Sequence, residues 1–420
     1  MRLIKPIKKI HAAVRVPGSK SYTQRALVAA ALAKGQSFIR GALVSEDTEH
    51  LMNALRLLGS TIQRQGGELT IRGTGGELTT PSGAIYLGNN GTGLRLLTGT
   101  VCLGHGTFLL DGNSRMRQRP IQALVDALKN IGGEAVCMEG NGCPPVQVRA
   151  TGLAGGKAVL SGGLSSQYLS ALLLAAPYAR RDTEIEVQGM LPSRPYVEMT
   201  LDVMARFGVE VLAPHDNTFF VKAPQAYRAR EYGVEGDASS ATYFMAAAAI
   251  CGGTVRISNI HPDSVQGDIR FADVLESLGC GVTTSGNGVA ITGPLSNHGD
   301  LCLDLHDVPD MVPALAVVSA FRKGKTILQN IGHLRIKESD RIAALTRELR
   351  KIGAKAEEKA DEMIVQGIAT RAAEIECYSD HRIAMSFAVA GLAIAGVAIK
   401  DPDCVKKSFP DFWEKLESLG

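Results

Sequence analysis

One tryptophan in 420 residues and an aromatic share of 5% leave little for the stacking platforms that single-stranded nucleic acids need. A formal net charge of +3 is too small on so long a chain to mark a nucleic-acid footprint. No run approaches the roughly 20 apolar residues of a membrane-spanning helix. The opening stretch "MRLIKPIKKIHAAVRVPG" has no apolar leader core. Eight cysteines are scattered without a CxxC pair, so neither a structural zinc nor a disulfide framework is indicated. Together these absences predict a cytoplasmic protein with reduced thiols and neither a nucleic-acid nor a membrane partner. The remainder is ordinary for a globular chain, 45% hydrophobic and 21% charged, and long enough for two or three domains.

Six amphipathic segments end on a glycine. "LRLLGSTIQ" stops at Gly59, "LVDALKNIGGEAV" at Gly132, "LDVMARFGVEV" at Gly208, "FADVLESLGCGV" at Gly279, "LTRELRKIGAKA" at Gly353 and "FWEKLESLG" at Gly420. Apolar residues at i, i+3 and i+4 closed by glycine predict helices with a left-handed C-terminal residue. The spacing, roughly 70 residues, marks an internal repeat. Hairpin signals such as "GVTTSGNGVAITG" follow the glycines. Alanine-rich helices come next, among them "SSQYLSALLLAAP", "DASSATYFMAAAAI" and "SDHRIAMSFAVAGLAIAG". Each unit reads as helix–strand–helix–hairpin, an α/β class built by repetition. The sixth unit lacks a hairpin, and residues 1–18 offer strand material without a helix. The expected arrangement is therefore two domains of three units each, 19–235 and 236–420, with 1–18 joining the second and completing its last unit. Gly18 and Gly236 would stand at the two crossings.

Polar clusters sit at the mouths of the alanine-rich helices, where unpaired N–H groups attract anions. "VPGSKSYTQRALVAAALAKG" places Lys20, Ser21 and Arg25 at one such mouth. A P-loop is excluded, because no glycine stands at the required distance before Lys20. "LGNNGTGLR" carries glycines in the reverse of the dinucleotide spacing, so no nicotinamide cofactor is expected. "HLRIKESDRI" crowds Lys337, Glu338 and Arg341 at a helix start, with Lys337 and Arg341 expected on one face at i, i+4. A solvated salt-bridged face is the alternative reading there. Asp310 in "LHDVPDM" and His381 beside Arg382 in "YSDHRIAM" read either as caps or as site residues.

"PGSKSYTQRA", "LGNNGTGLR", "RMRQRPI", "LSSQYLSALL", "EGDASSA", "RIKESDRI", "DHRIAM" and "KKSFPDF" stand in order from Pro17 to Phe412. In these segments the sequence resembles the 5-enolpyruvylshikimate-3-phosphate (EPSP) synthase family. The resemblance implies a two-domain inside-out α/β barrel of six units, three per domain, with helix ends facing an interdomain cleft. It also implies transfer of the enolpyruvyl group of phosphoenolpyruvate to the 5-hydroxyl of shikimate 3-phosphate, without metal or cofactor, by a monomer that glyphosate inhibits. Carried over by position, the phosphoenolpyruvate residues are Lys20, Gly91, Arg119, Arg341, Arg382 and Lys407. Those for shikimate 3-phosphate are Ser21, Arg25, Ser165, Ser166, Gln167, Ser193, Tyr196, Asp310, His333 and Lys337. The catalytic set is Asp310, Glu338, Lys20, Lys407 and His381. Asp310 would take the hydroxyl proton, and Glu338, protonated at the start, would give and retake the carbon proton. Two departures stand out: His333 replaces a frequent Asn, and Leu96 a frequent Pro. The alternative is the sister transferase acting on UDP-N-acetylglucosamine. Ser21 after the lysine, and the absence of a cysteine in "DGNSRMRQRPI", speak against it.

Overall fold

The computed structural model describes residues 1–163, 165–286, 288–297 and 299–420. Asn287, in the turn of the "GVTTSGNGVAITG" hairpin, lies outside the described residues, as do Leu164 and His298. The chain divides into two compact units. A continuous unit runs Gly18–Val234, and a composite unit joins Met1–Pro17 to Glu235–Gly420.

The continuous unit holds α1 (Lys20–Leu32), α2 (Glu46–Leu57), α3 (Gly91–Val101), α4 (Gln122–Asn130), α5 (Ser166–Ala175) and α6 (Pro195–Arg206). The composite unit holds α7 (Ala238–Cys251), α8 (Phe271–Ser277), α9 (Val312–Ser319), α10 (Arg341–Lys351), α11 (His381–Ala393) and α12 (Phe412–Glu417). Odd and even helices differ in kind. The odd ones are rich in alanine, valine or leucine and buried nearly all round, as Ala241 to Ala249 are on α7. The even ones carry one apolar stripe. On α10, Ile342, Leu345 and Leu349 are buried, each contributing about 1.5–3 kcal/mol on leaving water. Within the continuous unit α1 and α5 each pack on α3; within the composite unit α7, α9 and α11 pack on one another. The core of each unit is thus a cluster of small-residue helices with sheets outside. The glycine stops behave as their position demands: Gly59 and Gly353 take φ 104° and 100°.

The described strands form six sheets, five of four strands and one of three. In most of them the strand before an odd helix lies parallel to the strand after it. Gly156–Ser161 pairs with Thr183–Gln188 around α5, and Leu301–Asp304 with Thr326–Gln329 around α9. Two sheets exchange this partner. Ile10–Val14, just before α1, lies parallel to Gly253–Ile257 after α7, whereas Glu231–Gly233, just before α7, lies parallel to Lys34–Arg40 after α1. The N-terminal segment, expected to complete the sixth unit, is divided between two sheets. Arg2–Leu3 pairs with Ala398–Ile399 in the sixth, and Ile10–Val14 belongs to the fourth. Among the described residues no helix is long and apolar enough to cross a membrane.

Candidate functional site

In the continuous unit, Ser19 caps α1 by accepting from Tyr22 N at 3.4 Å, which puts Lys20 and Ser21 on the first turn. Lys20 Nζ lies 3.1 Å from Asp47 Oδ2, and the main-chain oxygen of Asp47 accepts from Asn90 Nδ2 at 2.6 Å. Asn90 in turn caps α3 through Gly93 N at 2.8 Å, so one chain of contacts joins Lys20 to the mouth holding Gly91. A Cβ on Gly91 would fall 2.6 Å from Arg119 Cζ and 2.6 Å from Arg95 Nη1. Glycine is what admits two guanidinium groups to this helix start.

Arg119 Nη1 donates to both oxygens of Asn89, at 3.2 and 3.1 Å. Arg95 Nη1 donates to Gln167 Oε1 at 2.7 Å, and Gln167 Nε2 to Thr92 Oγ1 at 3.0 Å, which brings the α5 mouth, capped by Ser165, against that of α3. Ser166 is the buried first residue of α5. Arg25 is 1% exposed and donates inward to Thr200 Oγ1 at 2.7 Å, Ser170 Oγ at 3.2 Å, and the main-chain oxygens of Ser21 and Tyr196, each at 3.0 Å. Burial pushes its guanidinium down to about 10. Ser193, one of the site candidates, holds φ 59°, rare for a residue with a side chain, and accepts from Tyr196 N at 3.1 Å.

The composite unit is organised around Arg341, which is 1% exposed. Its Nε donates to Asp380 Oδ2 at 2.8 Å, Nη1 to Asp310 Oδ1 at 3.1 Å, and Nη2 to Glu338 Oε2 at 2.8 Å and Asp380 Oδ1 at 3.2 Å. Arg382 Nη2 reaches the other oxygen of Asp310 at 2.7 Å, and its Nη1 donates to the Tyr243 hydroxyl at 3.3 Å. Burial alone would raise the Asp310 carboxyl, but Arg382, Arg341 and Lys337 outweigh it and hold the group well below the usual carboxylate range.

His333 sits in a 3-10 segment, Gly332–Ile336, with its ring 6.0 Å from that of His306. Burial, Lys337 and His306 push it down to about 3. Lys407 is buried at the end of the 3-10 turn Pro402–Lys407, which packs on α11. Among the described residues no cluster of three His, Cys, Asp or Glu side chains is placed to hold a metal ion.

Some expectations change here. The helix in "RIKESDRI" begins only at Arg341, capped by Asp340, so Lys337 and Arg341 do not stack as helical neighbours. Arg335 takes the solvated reading, donating to Asp340 Oδ2 at 2.9 Å and Glu358 Oε2 at 3.0 Å. The cap of α11 is Asp380, not His381. Asp380 accepts from Arg382 N at 3.0 Å, while fully buried His381 lies with Nδ1 3.7 Å from the same carboxylate. Asp380 and Asp47 are the residues the sequence reading passed over. Each stands beside a helix start among other acids or hydroxyls, where an aspartate reads as a cap.

The family model for EPSP synthase (3-phosphoshikimate 1-carboxyvinyltransferase) matches residues 4–416. A 3-phosphoshikimate 1-carboxyvinyltransferase from Sulfurovum sp. (strain NBC37-1) is 45% identical, over 99% of this chain and 98% of its own. The chloroplastic enzyme of that name from Brassica napus is 43% identical, over 99% of this chain and 84% of its own. Among solved structures, EPSP synthase from Acinetobacter baumannii superposes with a TM-score of 0.83 at 28% identity, over 100% of this chain and 98% of that one. The enolpyruvyl transferase NikO from Streptomyces tendae shares the fold, with a TM-score of 0.79 at 19% identity, over 99% and 96%.

Proposed function

The chain belongs to the EPSP synthase family, and from that premise we propose how its residues divide the work. The reaction moves the enolpyruvyl group of phosphoenolpyruvate onto shikimate 3-phosphate and releases phosphate; the UDP-N-acetylglucosamine alternative is not favoured. Phosphoenolpyruvate binds through Lys20, Arg119, Arg341, Arg382 and Lys407, with Gly91 letting the Arg119 guanidinium approach the helix start. Shikimate 3-phosphate binds through Ser21, Ser165, Ser166, Gln167, Ser193, Tyr196, His333 and Lys337. Arg25 contributes from behind, by holding the Ser21 and Tyr196 carbonyls.

The observation that carries this reading is that Arg341 bonds three carboxylates at once, Asp310, Glu338 and Asp380. A substrate carboxylate or phosphate that turns Arg341 and Arg382 toward itself loosens both bridges. Asp310, relieved of the two guanidinium groups that depress it, becomes basic enough to take the 5-hydroxyl proton. Glu338, relieved of Arg341, takes up a proton from water, delivers it to the methylene carbon and later retrieves one from the methyl group. The displaced cations meanwhile neutralise charge on carboxylate and phosphate as it shifts in the transition state. Substrate binding and the arming of acid and base are thus one event. Bacterial relatives such as that of Sulfurovum support a cytoplasmic setting.

The test is phosphate release by the purified protein. It is expected only when phosphoenolpyruvate and shikimate 3-phosphate are both present. Release with UDP-N-acetylglucosamine in place of shikimate 3-phosphate would move the chain to the other substrate. A further expectation is that glyphosate competes with phosphoenolpyruvate; a purely non-competitive pattern would contradict it.

A further inference from the structure

Asp380 reaches Arg341 from an unusual stretch of backbone. Tyr378 and Ser379, the two residues before it, both take left-handed φ, 54° and 52°. For residues with side chains that conformation is costly and persists only where the surroundings enforce it. The ends of the turn are closed by Asp380 N, which donates to the main-chain oxygen of fully buried Cys377 at 2.8 Å. A further hold comes from α10.

Glu348 follows Arg341 by seven positions on that helix, two turns on and on the same face, about 10 Å along the axis. Its side chain is fully buried. Oε1 accepts from the Tyr378 hydroxyl at 2.7 Å, and Oε2 from Glu376 N at 3.1 Å and from half-exposed Lys351 Nζ at 2.7 Å. Segment 376–382 is therefore tied to α10 at two places. Glu348 holds its start, and Arg341, through Asp380, holds its end. The left-handed pair lies between the ties. Leucine at 348 would be buried without the desolvation cost of a carboxylate, so Glu348 is explained by what it holds.

We propose that Glu348 and Tyr378 are positioning residues for the reaction, a tether that keeps Tyr378–Ser379 left-handed and so sets Asp380 against Arg341. Both act through Asp380. Once the tether is cut, Tyr378 and Ser379 gain by returning to right-handed or extended backbone. That rotation carries the Asp380 carboxylate away from Arg341 and from Arg382 N, which it caps. Arg341 then keeps Asp310 and Glu338 but loses the partner that bonds both its Nε and its Nη2. Displacement of about 1 Å among groups that position reacting atoms lowers rates up to about a hundredfold.

This inference rests on the proposed role of Arg341 toward phosphoenolpyruvate, and its test separates the two. Tyr378→Phe keeps the ring and deletes the hydroxyl that reaches Glu348. In the full chain, kcat/KM with phosphoenolpyruvate varied should fall about tenfold, with KM for shikimate 3-phosphate within about twofold. Amide exchange at 380–382 should quicken about tenfold in the same variant. Glu348→Ala should lose more. Glu348→Gln should keep most of the activity, because its amide oxygen still accepts from Glu376 N and its amide N–H can donate to the Tyr378 hydroxyl. Should Glu348→Ala fail to fold, Tyr378→Phe against Glu348→Gln carries the decision by the same two readouts. A merely structural role predicts a lower melting temperature with both KM values unchanged, and that pattern would overturn the proposal. So would unchanged exchange at 380–382 in Tyr378→Phe, or Glu348→Gln no more active than Tyr378→Phe. Wild-type protein without phosphate release would instead strike the assignment of the reaction, and exchange in Tyr378→Phe would still decide the tether.

Discussion

The site arginines of the two units are held differently. In the continuous unit Arg25, Arg95 and Arg119 donate to neutral oxygens of serine, threonine, glutamine, asparagine and the main chain. In the composite unit Arg341 and Arg382 donate to carboxylates. Burial among neutral groups pushes a guanidinium down, as it does Arg25, to about 10. On the roles proposed above, an anion offsets that shift, which suits the continuous unit to binding. A guanidinium spread over three carboxylates is already neutralised, and an arriving anion frees carboxylates to exchange protons. On the same proposal, the composite unit is suited to proton exchange.

The widest expected effect tests the reactive side. Asp310→Asn removes the base and keeps an acceptor for only one of Arg341 and Arg382, setting an N–H against the other. We expect kcat to fall by about 10²-fold or more, with KM for both substrates within a few-fold. Steady-state kinetics with each substrate varied would check this, and a raised KM at intact kcat would erase the distinction between the units. Next in size is Asp380→Asn. The carboxylate is fully buried and carries two bonds to Arg341, one from Ser339 and one from Arg382 N. Removing one partner of a buried ion pair costs about 3 kcal/mol or more. Asp47→Asn, opposite the part-exposed Lys20, should cost about 1 kcal/mol. Equal losses in urea unfolding would show that the two units hold their charges alike.

Much of this organisation could be read from the chain, for identifiable reasons. The alternation of helix types was legible because burial on all faces and burial on one face leave different patterns, and the glycine stops because only glycine takes φ near 100° cheaply. The exchange of Ile10–Val14 and Glu231–Gly233 between sheets was not. Strands of five and three residues carry no mark of their partner, and the choice is made by tertiary packing. The site divides similarly. Arg341, Arg382, Asp310 and Glu338 drew attention as charges crowded at helix starts. Asp380 did not, because Ser339–Asp340–Arg341 and Ser379–Asp380–His381–Arg382 look alike in sequence. Asp340 caps α10 and meets half-buried Arg335, while Asp380 caps α11 and lies against Arg341 from a distant segment. Only the fold separates a solvated cap from the hub of a charge network.

A smaller effect sharpens the binding side. In Gly91→Ala the new methyl group would displace the ends of Arg119 and Arg95, both buried and hydrogen-bonded. The fold should survive, with a loss of about 1–3 kcal/mol. KM for phosphoenolpyruvate should rise several-fold while kcat stays within about twofold, since what moves holds charge without exchanging protons. Loss of kcat with KM unchanged would place proton chemistry in the wrong unit.

The finest difference lies in pH. His333 in the composite unit is pushed down to about 3 from an ordinary value of 6.5. Between those values the unfolded chain binds a proton there and the folded chain does not. Stability from this group is therefore complete above about 6.5 and is lost progressively as pH falls toward 3. Arg25 in the continuous unit titrates at about 10, so its contribution changes only in alkali. His333→Asn should consequently flatten the acid limb of the stability profile, with the wild-type minus variant difference growing through that window and vanishing above it. Chemical denaturation at a series of pH values reads this directly. A difference that appeared instead between pH 9 and 11, or stayed constant throughout, would mean that His333 is not held neutral by Lys337, His306 and burial. The electrostatic contrast between the units would then stop short of the residues around Arg341.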